Sequence, residues 1–128
     1  MTLDYQIDKE DFIVTLVADT TLTDAEAQAC IRRLRADPDL APCMPVLVDA
    51  TGLRETSLSK SGVKSIMDIL EVTDSSVGEA RTAIVVSKSG LAVIADYFGI
   101  TAENRGLKHR IKTFFHLNEA SDWLRETP

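Results

Sequence analysis

The sequence predicts an α/β fold: a mixed, mostly parallel sheet with an N-terminal hairpin and about four helices, in the order ββαβαβαβα. Three observations lead there. Phe12 to Ala18, Pro45 to Asp49 and Arg81 to Ser87 are short runs rich in β-branched and apolar residues. The first and third are apolar on both alternating faces, the pattern of strands covered from both sides. Between the runs lie segments with apolar residues at helical spacing. Strands that alternate with helices need crossover connections, and crossovers make neighbouring strands parallel.

Each element has its own signal. Tyr5 to Asp8 reads as a short first strand, and Lys9-Glu10-Asp11 closes a hairpin onto Phe12 to Ala18. Thr23-Asp24-Ala25-Glu26 is a capping box, in which the Thr23 hydroxyl accepts the Glu26 amide and Glu26 reaches back to Thr23. Ala27, Cys30, Ile31 and Leu34 form the apolar stripe of the helix that follows, with Arg32, Arg33 and Arg35 assigned to its other positions. That helix stops before Asp37-Pro38, because the residue preceding a proline resists α geometry. Ala50 to Ser57 reads as a loop. Val63, Ile66, Met67 and Leu70 mark a second helix, and Leu91, Ile94, Ala95 and Phe98 mark a third that ends near Gly99. Arg110 to Phe115 is the last strand, and Asn118 caps a fourth helix carrying Ala120, Trp123 and Leu124.

The composition excludes several classes. The chain has 128 residues, which suits one domain spanning 1–128. Its 45% hydrophobic content offsets chain entropy and argues against disorder. A net charge of -6 is a poor match for nucleic acid, whose binding depends on phosphate neutralisation. No run approaches the roughly 18 apolar residues of a transmembrane helix, and no secretory signal opens the chain. Cys30 falls on a helix stripe and Cys43 in a loop; neither belongs to a metal set, and no disulfide is expected between them. A cytoplasmic location and no cofactor are the expectations.

Several stretches carry a resemblance. They are Leu34-Arg35-Ala36-Asp37-Pro38, Val46-Leu47-Val48-Asp49, Arg81-Thr82-Ala83-Ile84-Val85-Val86, and Phe114-Phe115 with Glu119-Ala120-Ser121-Asp122-Trp123-Leu124. Through them the chain resembles the SpoIIAA-like proteins, a bacterial group related to STAS domains. The resemblance spans nearly the whole chain, and its motifs speak more to fold than to function. It implies a compact domain that often works without catalysis. STAS antagonists bind a protein partner and are switched by phosphorylation just after the central strand. Asp49-Ala50-Thr51-Gly52-Leu53 looks similar to that motif, which makes Thr51 the implied phosphoacceptor, with Asp49 and Gly52 around it. In the antagonists a helix begins directly after the motif, whereas here Arg54 to Ser61 intervene. The plainer reading has Asp49 and Thr51 satisfying loop backbone groups.

Other candidates follow from ligand binding at the carboxyl ends of strands in open α/β sheets. Asp49 to Gly52, Ser87 to Gly90 and Phe115-His116 are expected to meet there. Ser87, Lys88 and Ser89 offer amides and a cation for an anion or ligand, though the turn lacks a phosphate-loop pattern and also reads as a strand-to-helix turn with a serine cap. His109 and His116 flank the last strand about 23 Å apart if it is regular, too far to share a metal. Arg105, Lys108, Arg110 and Lys112 read either as a site for an anionic partner or lipid headgroups or as charge protecting an edge strand. Thr56, Ser57, Ser59 and Ser61 offer hydroxyls for modification or capping. Met67, Ile69, Leu70 and Val72 span more than one helix face, which fits a homodimer contact, an apolar pocket or a deeply buried helix.

Three classes stay open. The first is a non-catalytic regulatory module with a protein partner. The second is a carrier of a small apolar ligand or lipid, held between the second and third helices. The third is an enzyme whose site is not visible in the sequence, since no nucleophile–base pair or cofactor fingerprint is recognisable.

Overall fold

A computed structural model describes residues 3–56, 58–77 and 79–126, without the side chains of 55, 56, 75–77, 89 and 90. The elements run β1 (Leu3–Asp8), β2 (Ile13–Leu22), α1 (Asp24–Ala36), β3 (Val46–Thr56), α2 (Lys60–Val77), β4 (Arg81–Val86), α3 (Ser89–Asn104), β5 (Arg110–Phe114) and α4 (Leu117–Arg125). This is the expected order. The five strands lie side by side as β1-β2-β3-β4-β5. β1 and β2 are antiparallel, with Leu3 opposite Ala18 and Asp8 opposite Ile13. The remaining neighbours are parallel.

That strand order decides where the helices go. Parallel crossovers are right-handed. When every crossover steps in the same direction across the sheet, every crossover helix lands on the same face. The core confirms it: residues of α1, α2 and α3 pack with Val14, Leu16, Ala18, Val46 and Ala50. α4 follows the last strand, is not a crossover, and covers the opposite face, where Ala120 and Leu124 meet Ala83 and Val85. The β4 side chains are buried on both sides, which is why that run lacks polar alternation.

Local chemistry sets the element ends. In the hairpin, the Asp8 carboxylate accepts the amides of Glu10 and Asp11, both at 3.0 Å. The Thr23 hydroxyl caps α1 by accepting the Glu26 amide at 3.2 Å and donates to the Glu26 carboxylate at 3.0 Å. Ser59 performs the same office for α2, its hydroxyl accepting the Gly62 amide at 3.0 Å. Ser59 also donates its amide and hydroxyl to Asp24, which ties the starts of the two helices together. Cys30 is buried, Cys43 is exposed, and both are free.

Four expectations are corrected. Residues 50–56 are strand, not loop: β2 runs on to Leu22 and gives β3 a partner as far as Thr56, with Asp19 opposite Gly52 and Thr20 opposite Leu53. The pairing slips between Val17 and Asp19 and again between Thr20 and Thr21, and Thr20 takes φ 59 there. α3 does not end near Gly99 but continues to Asn104. α4 starts at Leu117 with His116 as its N-cap, not Asn118. α3 is capped by Lys88 rather than a serine, with no side-chain capping bond.

Gly99 is where α3 touches the sheet. A β-carbon there would sit 2.7 Å from the Ile111 carbonyl oxygen of β5. That neighbour is backbone in a paired strand, so relief requires the helix to lift away. Gly99→Ala is therefore expected to destabilise by about 1–3 kcal/mol, although alanine is the better helix former. Urea unfolding of the two proteins checks this. Equal midpoints would mean that the contact yields at little cost.

Candidate functional site

The inward face of the sheet meets the three crossover helices around a cavity of about 150 Å³. Its lining is apolar apart from Arg35, Thr82 and His109. Several inward positions carry alanine: Ala18 on β2, Ala27 on α1, Ala50 on β3 and Ala95 on α3. Larger side chains at those places would occupy the volume. β-strand alternation makes Val46, Val48 and Ala50 face the cavity, while Leu47 packs with the α4 side. The pocket expected between the second and third helices is thus wider. It lies beneath α1 as well and rests on the sheet.

The three polar residues come from α1, β4 and the turn before β5. Arg35 lies eight residues after Ala27 and four after Ile31, so it continues the inner stripe of α1 rather than the outer face expected for it. It donates to the Thr73 hydroxyl of α2 at 2.8 Å. Burial lowers its pKa to about 10, with the Asp74 carboxylate opposing the shift. His109, just before β5, is 5% exposed. Its Nε2 pairs with the Thr82 hydroxyl of β4, and its Nδ1 is buried with no hydrogen-bond partner among the described residues. Burial pushes the imidazole pKa down to about 4; the Arg35 charge adds to that, and Asp74 opposes it. Asp74 is held in place by the backbone amides of Lys108 and His109, at 3.1 and 3.3 Å. Arg35, Thr82 and His109 are thus the polar part of an otherwise apolar lining, and the Asp74 charge acts on two of them from outside it.

The residues singled out by sequence lie elsewhere. Asp49 and Thr51 are within β3, each one residue removed from inward-facing Ala50. Thr51 donates its amide and its hydroxyl to Asp49 Oδ1, at 3.1 and 2.6 Å. Gly52 is exposed beside the backbone of Ala18 and Asp19. The Ser87 hydroxyl donates to the Thr51 carbonyl at 3.1 Å, and Lys88 Nζ donates to the Arg54 carbonyl at 3.3 Å. The turn after β4 thus meets Thr51 and Arg54 within β3, not at its end, and Lys88 Nζ is bonded to a backbone oxygen. Ser89 opens α3, and its side chain is outside the described set, as are those of Thr56 and Ser57. His116 and Phe115 are exposed beyond β5.

The basic run divides. β5 is an edge strand. Arg105 is bound to Asp68 and Glu71 at 2.7 and 3.2 Å. The Lys112 ammonium lies over the rings of Phe114 and Trp123. Arg110 and Lys108 are exposed. Met67 and Leu70 are core, Ile69 is half-buried and Val72 is 82% exposed, so the broad apolar face of α2 is mostly interior. Among the described residues no group of three or more His, Cys, Asp or Glu side chains is placed to hold a metal. No helix among them is long and apolar enough to cross a membrane.

Known structures place this architecture. It is a SpoIIAA-like α/β fold, as the resemblance implied. An uncharacterised protein of the DUF3478 family from Shewanella loihica PV-4, itself described as SpoIIAA-like in fold, is similar with a TM-score of 0.57 and 18% identity, over 95% of this chain and 91% of that one. No family model and no curated protein matches the sequence.

Proposed function

We propose that this protein binds a small apolar molecule in the chamber beneath α1, α2 and α3. One observation carries the reading: a largely apolar cavity of about 150 Å³ lies between the sheet and the three crossover helices. Protein interiors are close-packed, and voids larger than a water molecule are few. Volume left unfilled in a core forfeits packing contacts. A bound molecule returns those contacts. A largely apolar cavity of this size admits a ligand such as benzene.

The switch reading draws on Thr51, whose hydroxyl is on an exposed residue. That hydroxyl is bonded to the Asp49 carboxylate, so a phosphate dianion added there would meet like charge at contact distance. The chamber is the better supported of the two.

Toluene is the probe. Its binding is expected to raise the melting temperature and to shift the NMR signals of Leu16, Val48 and Ile84. Ala95→Leu places three further carbons in the chamber from α3. It is expected to abolish toluene binding while keeping or raising the melting temperature of the free protein. If toluene binds both proteins alike, the chamber is not its site; if neither toluene nor benzoate binds the wild type, the chamber is not a ligand site.

A further inference from the structure

We infer that the chamber takes a small aromatic or short-chain carboxylic acid as its anion, with the ring or chain among the leucines and alanines and the carboxylate on the Arg35 guanidinium. This rests on the apolar-chamber reading and adds the chemistry of the ligand's polar end.

Arg35 belongs to two surfaces at once. It lines the chamber, and it lines the shallow seam between α1 and α2 with Arg32, Ile69 and Val72. It stands where the interior meets the outside, the place for the head of a molecule whose body is inside. A guanidinium has five N–H donors in a planar fork that matches a carboxylate. Thr73 takes one of them. Among the described residues no carboxylate is within ion-pair distance of Arg35. Asp74 acts on it from farther away and is itself engaged with two amides. A half-buried cation in this position is costly until a carboxylate pairs with it.

His109 is the independent observation. It lines the same chamber, is almost wholly buried, and keeps an Nδ1 that no described protein group satisfies. Buried polar atoms are nearly always paired. The ring is neutral at pH 7, so it offers one N–H and one lone pair. When Thr82 donates to Nε2, the Nδ1–H is left as a donor with no acceptor among the described residues.

Size and charge narrow the class. A cavity of about 150 Å³ matches a single benzene ring or a chain of about six carbons, which excludes a long acyl chain held wholly inside. One arginine offset by nearby Asp74 favours a monoanion over a dianion.

The test is a titration of the intact protein at pH 7 with benzoate and, separately, toluene, followed by NMR. Arg35→Met is the variant, because replacing a buried ion by an apolar residue of similar volume commonly keeps or raises stability. Toluene binding reports in the same sample that the chamber is intact. The wild type is expected to bind benzoate at least tenfold more tightly than toluene. Arg35→Met should weaken benzoate at least tenfold, leave toluene within twofold, and be partly rescued by Arg35→Lys. Benzoate binding no tighter than toluene, or unchanged in Arg35→Met, overturns the carboxylate inference and leaves the apolar chamber standing. If neither probe binds the wild type, the chamber reading falls and the inference with it.

Discussion

Met67→Ala is expected to cost about 2–5 kcal/mol, much of the stability of a small domain. Met67 is 0% exposed, on the inner face of α2. Its neighbours on the helix, Ile66 and Leu70, line the chamber, while Met67 does not. The truncation therefore opens new volume instead of enlarging a space that already exists. The surroundings have little freedom to collapse into it, because α2 is tied to α1 at its start through Ser59 and Asp24 and later through Thr73 and Arg35. Val72→Ala is the internal control. At 82% exposure, Val72 should change stability by no more than about 0.5 kcal/mol. Urea unfolding of both variants separates the buried stripe of α2 from its apolar remainder. Similar losses in the two would mean that Val72 is covered in solution, as a homodimer contact through this helix requires.

The same helix shows how far the sequence can be read. Val63, Ile66, Met67 and Leu70 mark a stripe by spacing alone, and the structure buries all four. Spacing is local, and the stripe is a local property of a helix. What spacing cannot give is a partner distant in the chain. Ala50 to Thr56 carries threonine, glycine and charge, and reads as loop until β2 is laid beside it as far as Leu22. Gly99 weakens a helix by propensity, yet α3 runs through it because only glycine allows the approach to Ile111.

The extent of the chamber was hidden for a related reason. Element order along the chain leaves open how the strands are arranged in the sheet. Carboxyl-end crevices form where strand order reverses, and in the order β1 to β5 it never does. The space is under the helices instead, since all three crossovers fall on one face. A local signal for it exists. Arg35 interrupts the Ala27–Ile31 stripe with a charge, and Thr82 does the same among Ile84 and Val86 on the inward face of β4. Polar residues at inward positions, with alanines where large side chains are expected, mark the chamber. Asp49 and Thr51 drew notice through a motif, yet their polar groups are bonded to each other.

Acidification should reveal the buried imidazole. The His109 pKa in the folded protein is about 4, against about 6.5 in an unfolded chain. The unfolded state therefore binds more protons between those values, so stability falls as the pH falls. The contribution is fully present above about pH 6.5, is lost progressively below it, and levels off under about pH 4. The size is about 3 kcal/mol across the window. The groups facing the ring are Thr82 from β4, Arg35 from α1 and Asp74 from α2. Arg35 reinforces the shift and Asp74 opposes it, so neither reverses the sign set by burial. Carboxylates titrate in part of the same range, and a wild-type curve alone does not isolate the histidine. His109→Gln does, since the amide can still pair with Thr82 but does not ionise. Wild-type stability should drop by about 3 kcal/mol more than that of the variant between pH 7 and pH 4. Parallel curves would mean that His109 meets water or a carboxylate when it gains its proton.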